Sequence, residues 1–249
     1  MYYLPLTLDS PAENLALDEA LLDAAEAGEI DSGVLRLWES PTHCVVLGRS
    51  STAEVEVNLP ACRQAGVPVL RRSSGGGTIL TGPGCLMYAV VLDLQTYPQL
   101  QVINAAHHFV LGQLAKVLSP LVEGVELAGT SDLVTRPAAS DHRLKFSGNA
   151  MRCRRSHLLY HGTLLYDFDL PQIHHWLAIP TRTPAYRGDR QHTEFVTNLP
   201  IGREAIVQAL TDVWQAYHAL PSWPQRRTAE LTQTKFSDDP KWVIHAPST

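Results

Sequence analysis

Thr78-Ile79-Leu80-Thr81-Gly82-Pro83-Gly84-Cys85-Leu86-Met87-Tyr88-Ala89-Val90-Val91-Leu92 holds two strand-like apolar runs, 78–80 and 86–92, around Gly82-Pro83-Gly84. Glycine and proline together are strong turn formers, so the spacing predicts a β-hairpin. Further strand-like runs lie upstream at 34–38, 44–47 and 67–70, and downstream at 132–135, 144–152 and 157–168. Helices are marked differently. Ser10-Pro11-Ala12-Glu13 is a capping box with proline at the first helical position, and Leu15, Leu17, Leu21, Leu22 and Ala25 continue at helical spacing. A short helix follows Asn58 and closes at Gly66. The stretch 104–118 carries Val110, Leu111, Leu114 and Leu118 on one side, and Ile206, Leu210, Val213, Trp214 and Tyr217 form a later helix face. Strands come in groups and do not alternate one-for-one with helices. That order predicts an α+β fold with a mixed, largely antiparallel central sheet flanked by helices.

The 249 residues suffice for one sizeable core, and 45% of them are apolar. The formal charge of −5 gives no global signature for nucleic acid or an anionic membrane. No window approaches the roughly 18 apolar residues of a membrane span, and the first residues lack the basic region of a signal peptide. The four cysteines, Cys44, Cys62, Cys85 and Cys153, are scattered, which argues against a disulfide framework or a thiolate zinc site. A reduced, cytoplasmic protein is expected, a single domain over 1–249 with a polar, less periodic tail after about 221.

Gly75-Gly76-Gly77 lacks the third glycine of a dinucleotide fingerprint, and Pro83 stands where a P-loop needs lysine. His157 and His161 are four apart in a strand-like segment, roughly 13 Å at about 3.3 Å per residue, too far for one zinc ion. The doublets His107-His108 and His174-His175 point adjacent side chains apart.

Two stretches carry chemistry. In Arg71-Arg72-Ser73-Ser74-Gly75-Gly76-Gly77-Thr78, glycines lacking Cβ let the backbone approach a ligand and offer N–H groups. The arginines bring fixed charge and forked donors suited to phosphate or carboxylate. In Lys145-Phe146-Ser147-Gly148-Asn149-Ala150, strand alternation predicts one polar face of Lys145, Ser147 and Asn149. A second small-residue strand, His161-Gly162-Thr163-Leu164-Leu165, accompanies it. Tyr186, Arg187, Arg190 and His192 form a further polar cluster, read as a solvated loop.

These stretches, with Gly129-Thr130-Ser131-Asp132-Leu133-Val134 between them, occur in the order that resembles the lipoate–protein ligase A family. Asn14 to Leu22, Val45-Val46-Leu47-Gly48-Arg49 and Glu56-Val57-Asn58 also look similar, so the resemblance covers roughly 15–199. It implies the biotin/lipoate ligase catalytic fold, related to class II aminoacyl-tRNA synthetases. It implies ATP and Mg²⁺ as cofactors, lipoate as substrate, and a lysine of a lipoyl carrier domain as acceptor, on a 2-oxoacid dehydrogenase E2 subunit or a glycine cleavage H protein. No nucleic-acid or membrane partner is implied. Arg72 and Gly75, Gly76 and Gly77 would border acyl group and phosphate, with Ser74 and Thr78 as hydrogen-bonding neighbours. Lys145 would stabilise charge on the acyl carbonyl and α-phosphate. Asp132 would serve Mg²⁺ or the nucleotide. Ser147, Gly148, Asn149, His161, Gly162 and Thr163 would line the adenylate pocket.

Three departures stand out. Thr81 replaces a histidine common in the family. Ser131-Asp132 replaces Asn-Asp. The C-terminal accessory domain of the larger ligases, which some relatives supply as a separate protein, is expected to be absent. Three alternatives stay open: an ATP-independent octanoyl or lipoyl transferase using a cysteine thioester, although Cys85 and Cys153 both read as simple buried cysteines and not as its nucleophile; a biotin ligase; and an inactive acyl- or carrier-binding module.

Overall fold

The computed structural model describes residues 1–137, 142–178, 183–237 and 239–245. The first half of the chain runs β1 (Tyr2–Leu4), α1 (Pro11–Glu26), β2 (Val34–Glu39), β3 (Cys44–Leu47), α2 (Ala53–Glu56), α3 (Leu59–Ala65), β4 (Val69–Arg71), β5 (Ile79–Thr81), β6 (Cys85–Asp93) and α4 (Ile103–Leu118). It continues with β7 (Glu126–Ala128), β8 (Asp132–Thr135), β9 (Leu144–Cys153), β10 (His157–Leu165), α5 (Pro171–Trp176), α6 (His192–Phe195), α7 (Arg203–Trp214), β11 (His218–Ala219), α8 (Gln225–Lys235) and β12 (Val243–His245).

Among the described residues the strands make two sheets. The larger has the order β11-β1-β2-β6-β10-β9-β8-β7, and the smaller β12-β4-β3-β5. The larger sheet is antiparallel from β2 to β7, and parallel only where β1 meets β2 and β11. The architecture is therefore α+β, mixed and largely antiparallel.

The hairpin expected around Gly82-Pro83-Gly84 does not form. The chain does turn there, with the Cys85 N–H donating to Gly82 O over 3.1 Å. But β5 pairs with β3 in the small sheet, while β6 lies between β2 and β10 in the large one. Turn chemistry fixes the reversal and not the partner. A three-residue β5 offers β6 few bonds, whereas β10 offers nine paired positions. β6 is apolar on both faces, as a central strand covered on both sides must be. Leu86, Tyr88, Val90 and Leu92 face α4 and α7, and Cys85, Met87, Ala89 and Val91 face the other side.

That other side holds α1 and the small sheet. The Ser10 capping box forms as expected, Ser10 Oγ accepting from the Glu13 N–H at 3.2 Å and Glu13 Oε2 accepting from the Ser10 N–H at 3.0 Å. α1 is buried almost all round because it serves two layers. Leu17, Leu21 and Leu22 pack on the large sheet, and Leu15, Ala16 and Ala20 pack on Cys44, Val46 and Leu70 of the small one. Beyond residue 221 the chain folds back as α8 and β12. Leu231, Phe236 and Trp242 join the α1 cluster, and β12 adds to the edge of β4. The periodicity there is weak because only one thin stripe of an otherwise polar helix is buried. No helix among the described residues is long and apolar enough to cross a membrane.

Candidate active site

The two sheets part between β9–β10 on one side and the segment 72–79 on the other. Lys145 lies at the meeting of two cavities there. The smaller, about 110 Å³, is walled by Leu15, Val46, Ile79, Met87 and Ala150, with Arg72 and His161 among its polar members. The wider, about 410 Å³, runs past Leu80, Leu165, Ile173, Leu177, Phe195 and Val196. Gly77, Thr78, Ile79, Ser131, Asp132, Lys145 and Gly148 border both.

The register explains how Lys145 gets there. Asp132 pairs with Gly148 and Leu133 with Ser147, but Val134 then pairs with Lys145. Phe146 is the extra residue of a bulge, and its ring fills the core beneath. The bulge breaks the alternation, so the expected common face of Lys145, Ser147 and Asn149 is not formed. Lys145 shares its side of the strand with Gly148, whose missing Cβ would stand 3.1 Å from Lys145 Cε and Nζ. Ser147 and Asn149 turn toward Tyr88, whose hydroxyl donates to Asn149 Oδ1 at 2.5 Å. Asn149 Nδ2 donates to Ser147 Oγ at 3.0 Å and to Ser131 O at 2.9 Å, anchoring the start of β8.

Asp132 is held from two directions. Lys145 Nζ is 2.7 Å from its Oδ1, and Tyr186 Oη donates to its Oδ2 at 2.8 Å. Burial first, and then the Asp132 charge, push the Tyr186 phenol far up, so it stays a donor. Thr78 Oγ1 donates to Glu56 at 2.5 Å, and Thr163 Oγ1 accepts from the Gly148 N–H at 3.2 Å.

The glycine segment is organised from within. Arg72, buried, donates from Nε to Ser74 Oγ (3.0 Å), from Nη1 to Val46 O (3.2 Å), and from Nη2 to Gly75 O (2.5 Å) and Gly77 O (2.9 Å). Arg71 likewise holds the carbonyls of Gly48, Ser51 and Lys241. Both forks are spent on backbone carbonyls, which sequence alone does not reveal. Burial lowers Arg72 to about 10, so it remains a cation at neutral pH. Of the three glycines only Gly76 has a positive φ, +84°, and a Cβ there would meet Arg72 Nη2 at 2.9 Å. The N–H groups of Gly75, Gly76 and Gly77 make no hydrogen bond among the described residues. They remain available to an anion.

A buried chain of polar groups ties this segment to the sheet. Arg72 donates to Ser74 Oγ, so the Ser74 hydroxyl is left to donate to His161 Nε2, 2.6 Å away. His161 Nδ1 then donates to Asp18 Oδ2 at 3.3 Å, and Arg36 binds Asp18 Oδ1 at 2.5 Å. Burial works to raise Asp18, but Arg36 and His161 outweigh it and hold the carboxyl below its usual range. Arg36 is fully buried and also bonds Leu6 O, Asn14 O and Asn14 Oδ1.

The expected residues thus fall into groups. Arg72, Gly77, Thr78, Asp132, Lys145, Gly148, Asn149, His161 and Gly162 border the small cavity, and Ser147 and Thr163 border the wide one. Ser74, Gly75 and Gly76 border neither; Ser74 acts from behind. The cluster at Tyr186, Arg187, Arg190 and His192 is not a solvated loop. Arg187 and His192 are buried, both guanidinium groups stack on Phe195, and Arg190 bonds the carbonyls of Tyr186, Arg187 and Arg143. Asp18 and Arg36 were not anticipated. Their signal was present: a lone arginine in Val34-Leu35-Arg36-Leu37-Trp38 and an aspartate, Asp18, between Leu17 and Leu21 on the leucine-rich stretch of α1. Thr81, where the family often has histidine, is buried, and its Oγ1 has no partner among the described residues.

Comparison with known proteins gives the site a context. Residues 10–217 match the model of the lipoyl protein ligase A/B catalytic domain. A protein of Aeropyrum pernix named "Putative lipoate-protein ligase A" is 31% identical over 259 residues, covering 96% of this chain and 90% of that one. Among solved structures, the bipartite lipoate protein ligase from Thermoplasma acidophilum, described with its E2 lipoyl domain, superposes with a TM-score of 0.77 at 20% identity. It covers 96% of this chain and 94% of that one. A lipoate-protein ligase A bound with ATP gives a TM-score of 0.73 at 22% identity, covering 96% of each chain. At these identities the two structures speak for the fold.

Proposed function

The chain belongs to the lipoyl protein ligase A/B catalytic domain family, and from that premise we propose that it is a lipoate–protein ligase, activating lipoate or a similar medium-chain acid with ATP and passing it to a carrier lysine. The observation that carries this reading is the position of Lys145 at the junction of two cavities. A ligase that makes an acyl adenylate needs an apolar site for the acid and a wider site for the nucleotide. They must meet where the carboxylate attacks the α-phosphorus.

In the first step a carboxylate oxygen bonds to the α-phosphorus and the bond to the bridging oxygen of the leaving pyrophosphate breaks. Negative charge grows on the phosphoryl oxygens. In the second, the carrier amine attacks the acyl carbon and AMP leaves. Charge then develops on the carbonyl oxygen. An ammonium beside both centres stabilises each transition state without moving. The Lys145 Nζ, steadied by Asp132 and held over Gly148, is such a group. The N–H group of Gly77, with the Arg72 cation beside it, supplies fixed positive potential for the same charges. Mg²⁺ would arrive with the nucleotide. Asp132 is the carboxylate in reach, with one oxygen on Lys145 and the other on Tyr186, so most ligands of the ion would be phosphate oxygens.

The geometry disfavours the thioester route. No cysteine borders either cavity among the described residues. Cys85 is buried as expected, and burial pushes its thiol up to about 12; Cys153, expected to be buried, is instead exposed because it ends β9 at the surface, outside both cavities, and its thiol is also raised.

The test is intact-mass spectrometry of an apo lipoyl domain incubated with this protein, lipoate, ATP and Mg²⁺, with ATP omitted as control. A lipoyl mass gain that requires ATP supports the reading. Transfer only from supplied lipoyl-AMP would assign adenylation to a separate accessory protein. Transfer from an acylated carrier without ATP would replace the ligase by a transferase.

A further inference from the structure

We propose that the groove lined by Arg49, Arg152 and Arg154 is the docking surface for an acidic face of the carrier protein, a proposal that rests on the ligase reading above. The groove encloses about 460 Å³ beside the glycine segment, whose Ser73 and Gly75 are part of its lining, while Gly77 two residues on borders the site. Arg49 lies just past β3, while Arg152 lies near the end of β9, the strand that carries Lys145, and Arg154 just beyond it. Arg155 stands next to them in the following turn.

Unpaired positive charge is gathered in this patch. Arg49, Arg152 and Arg155 have no carboxylate partner among the described residues, and no carboxylate lines the groove. Arg154 shares Asp23 with Arg227. Arg49, Arg154 and Arg155 are exposed, and Arg152 spends one nitrogen on Ser73 O at 3.0 Å. The whole chain carries −5. An acidic protein approaching it is repelled over most of the surface and attracted where unpaired arginines gather beside the reactive centre. Such a patch steers encounter and sets orientation. An acidic protein face suits it better than a phosphate group does, because its guanidinium groups are mostly exposed and spread between two loops, with Met151 and Cys153 completing the wall.

The test uses Arg49→Glu/Arg155→Glu, with Arg49→Ala/Arg155→Ala as a milder partner, after circular dichroism confirms folding. Two readouts are taken with an apo lipoyl domain: steady-state kinetics, and direct titration of carrier onto enzyme without ATP. The expected result is a rise of about tenfold or more in both carrier KM and Kd for the charge reversal, with lipoyl-AMP formation unchanged. Wild-type carrier affinity should also weaken with added salt, and the variant's less so. Unchanged carrier affinity in the folded variant overturns the proposal. So does a rise in KM for ATP alone, which would give the groove to the nucleotide. Absence of lipoyl-AMP with the wild type would count against the ligase reading, while the titration would still decide the docking surface.

Discussion

Lys145 Nζ lies over the backbone of Gly148, so close that a Cβ there would stand 3.1 Å from it. The lysine reaches the cavity junction because the third residue after it has no side chain. Gly148→Ala should leave the fold intact, displace the ammonium and lower kcat about tenfold. Lys145→Ala should lower it by on the order of 10²–10³. Initial rates of carrier lipoylation, alongside circular dichroism, check both. A folded Lys145→Ala enzyme at wild-type rate would remove Lys145 from the mechanism.

The Asp18–Arg36 pair is buried on both sides. Asp18→Ala strands the Arg36 charge and should cost about 3–5 kcal/mol of stability. It also frees the His161 ring. Asp18→Leu/Arg36→Met should recover much of that stability without restoring the hydrogen bond to His161. Urea denaturation measures the first effect. Equal stabilities for Asp18→Ala and wild type would show the pair to be dispensable.

Acid should weaken the protein in two stages. His192 titrates near 4 in the fold, lowered by burial first and then by Arg187, His174 and Lys145. The unfolded chain takes up that proton from about 6.5 downward, so stability is full above 6.5 and falls between there and about 4. Asp18 has the opposite chemistry. Its depressed carboxyl contributes stability above its ordinary 3.8, lost as pH drops through the lower folded value. Urea midpoints at pH 7, 5 and 3 trace both stages. His192→Gln should flatten the first and leave the second, and a midpoint independent of pH between 7 and 5 would refute the assignment.

Cys85→Ala and Cys153→Ser should each keep ligation within about twofold, because neither thiol borders the two cavities that meet at Lys145 and serine keeps the size of Cys153 in the groove wall. Alkylation of Cys153 in the intact protein should leave lipoyl-AMP formation unaltered. Loss of carrier acylation in Cys85→Ala, or in Cys153→Ser with carrier affinity unchanged, would point to a thioester step.

Much of this was legible in the chain. The Ser10 capping box, the Gly66 cap and the main helical and strand runs are local, and local chemistry fixes them. The Arg71–Thr78 and Lys145–Ala150 stretches announced themselves by small residues beside charge. What was hidden is non-local. The choice of β3 over β6 as partner of β5 depends on competing pairings. The bulge at Phe146 depends on β8 and the ring's place in the core, and it turns Ser147 and Asn149 away from Lys145. The spending of both arginine forks on carbonyls depends on loops that meet only in three dimensions.

The strand β12 completes the small sheet against β4, and Arg71 at the end of β4 holds Lys241 O, 170 residues later in the chain. During synthesis the glycine segment therefore emerges long before its last brace. At about 5–20 residues per second the wait is roughly 10–30 s. A nascent chain can carry Lys145 and the glycines and still lack the backing that sets their geometry. The backing of the glycine segment is thereby complete only once residues 241–245 have been made, and a ribosome-stalled chain ending before β12 would hold an unbraced glycine segment.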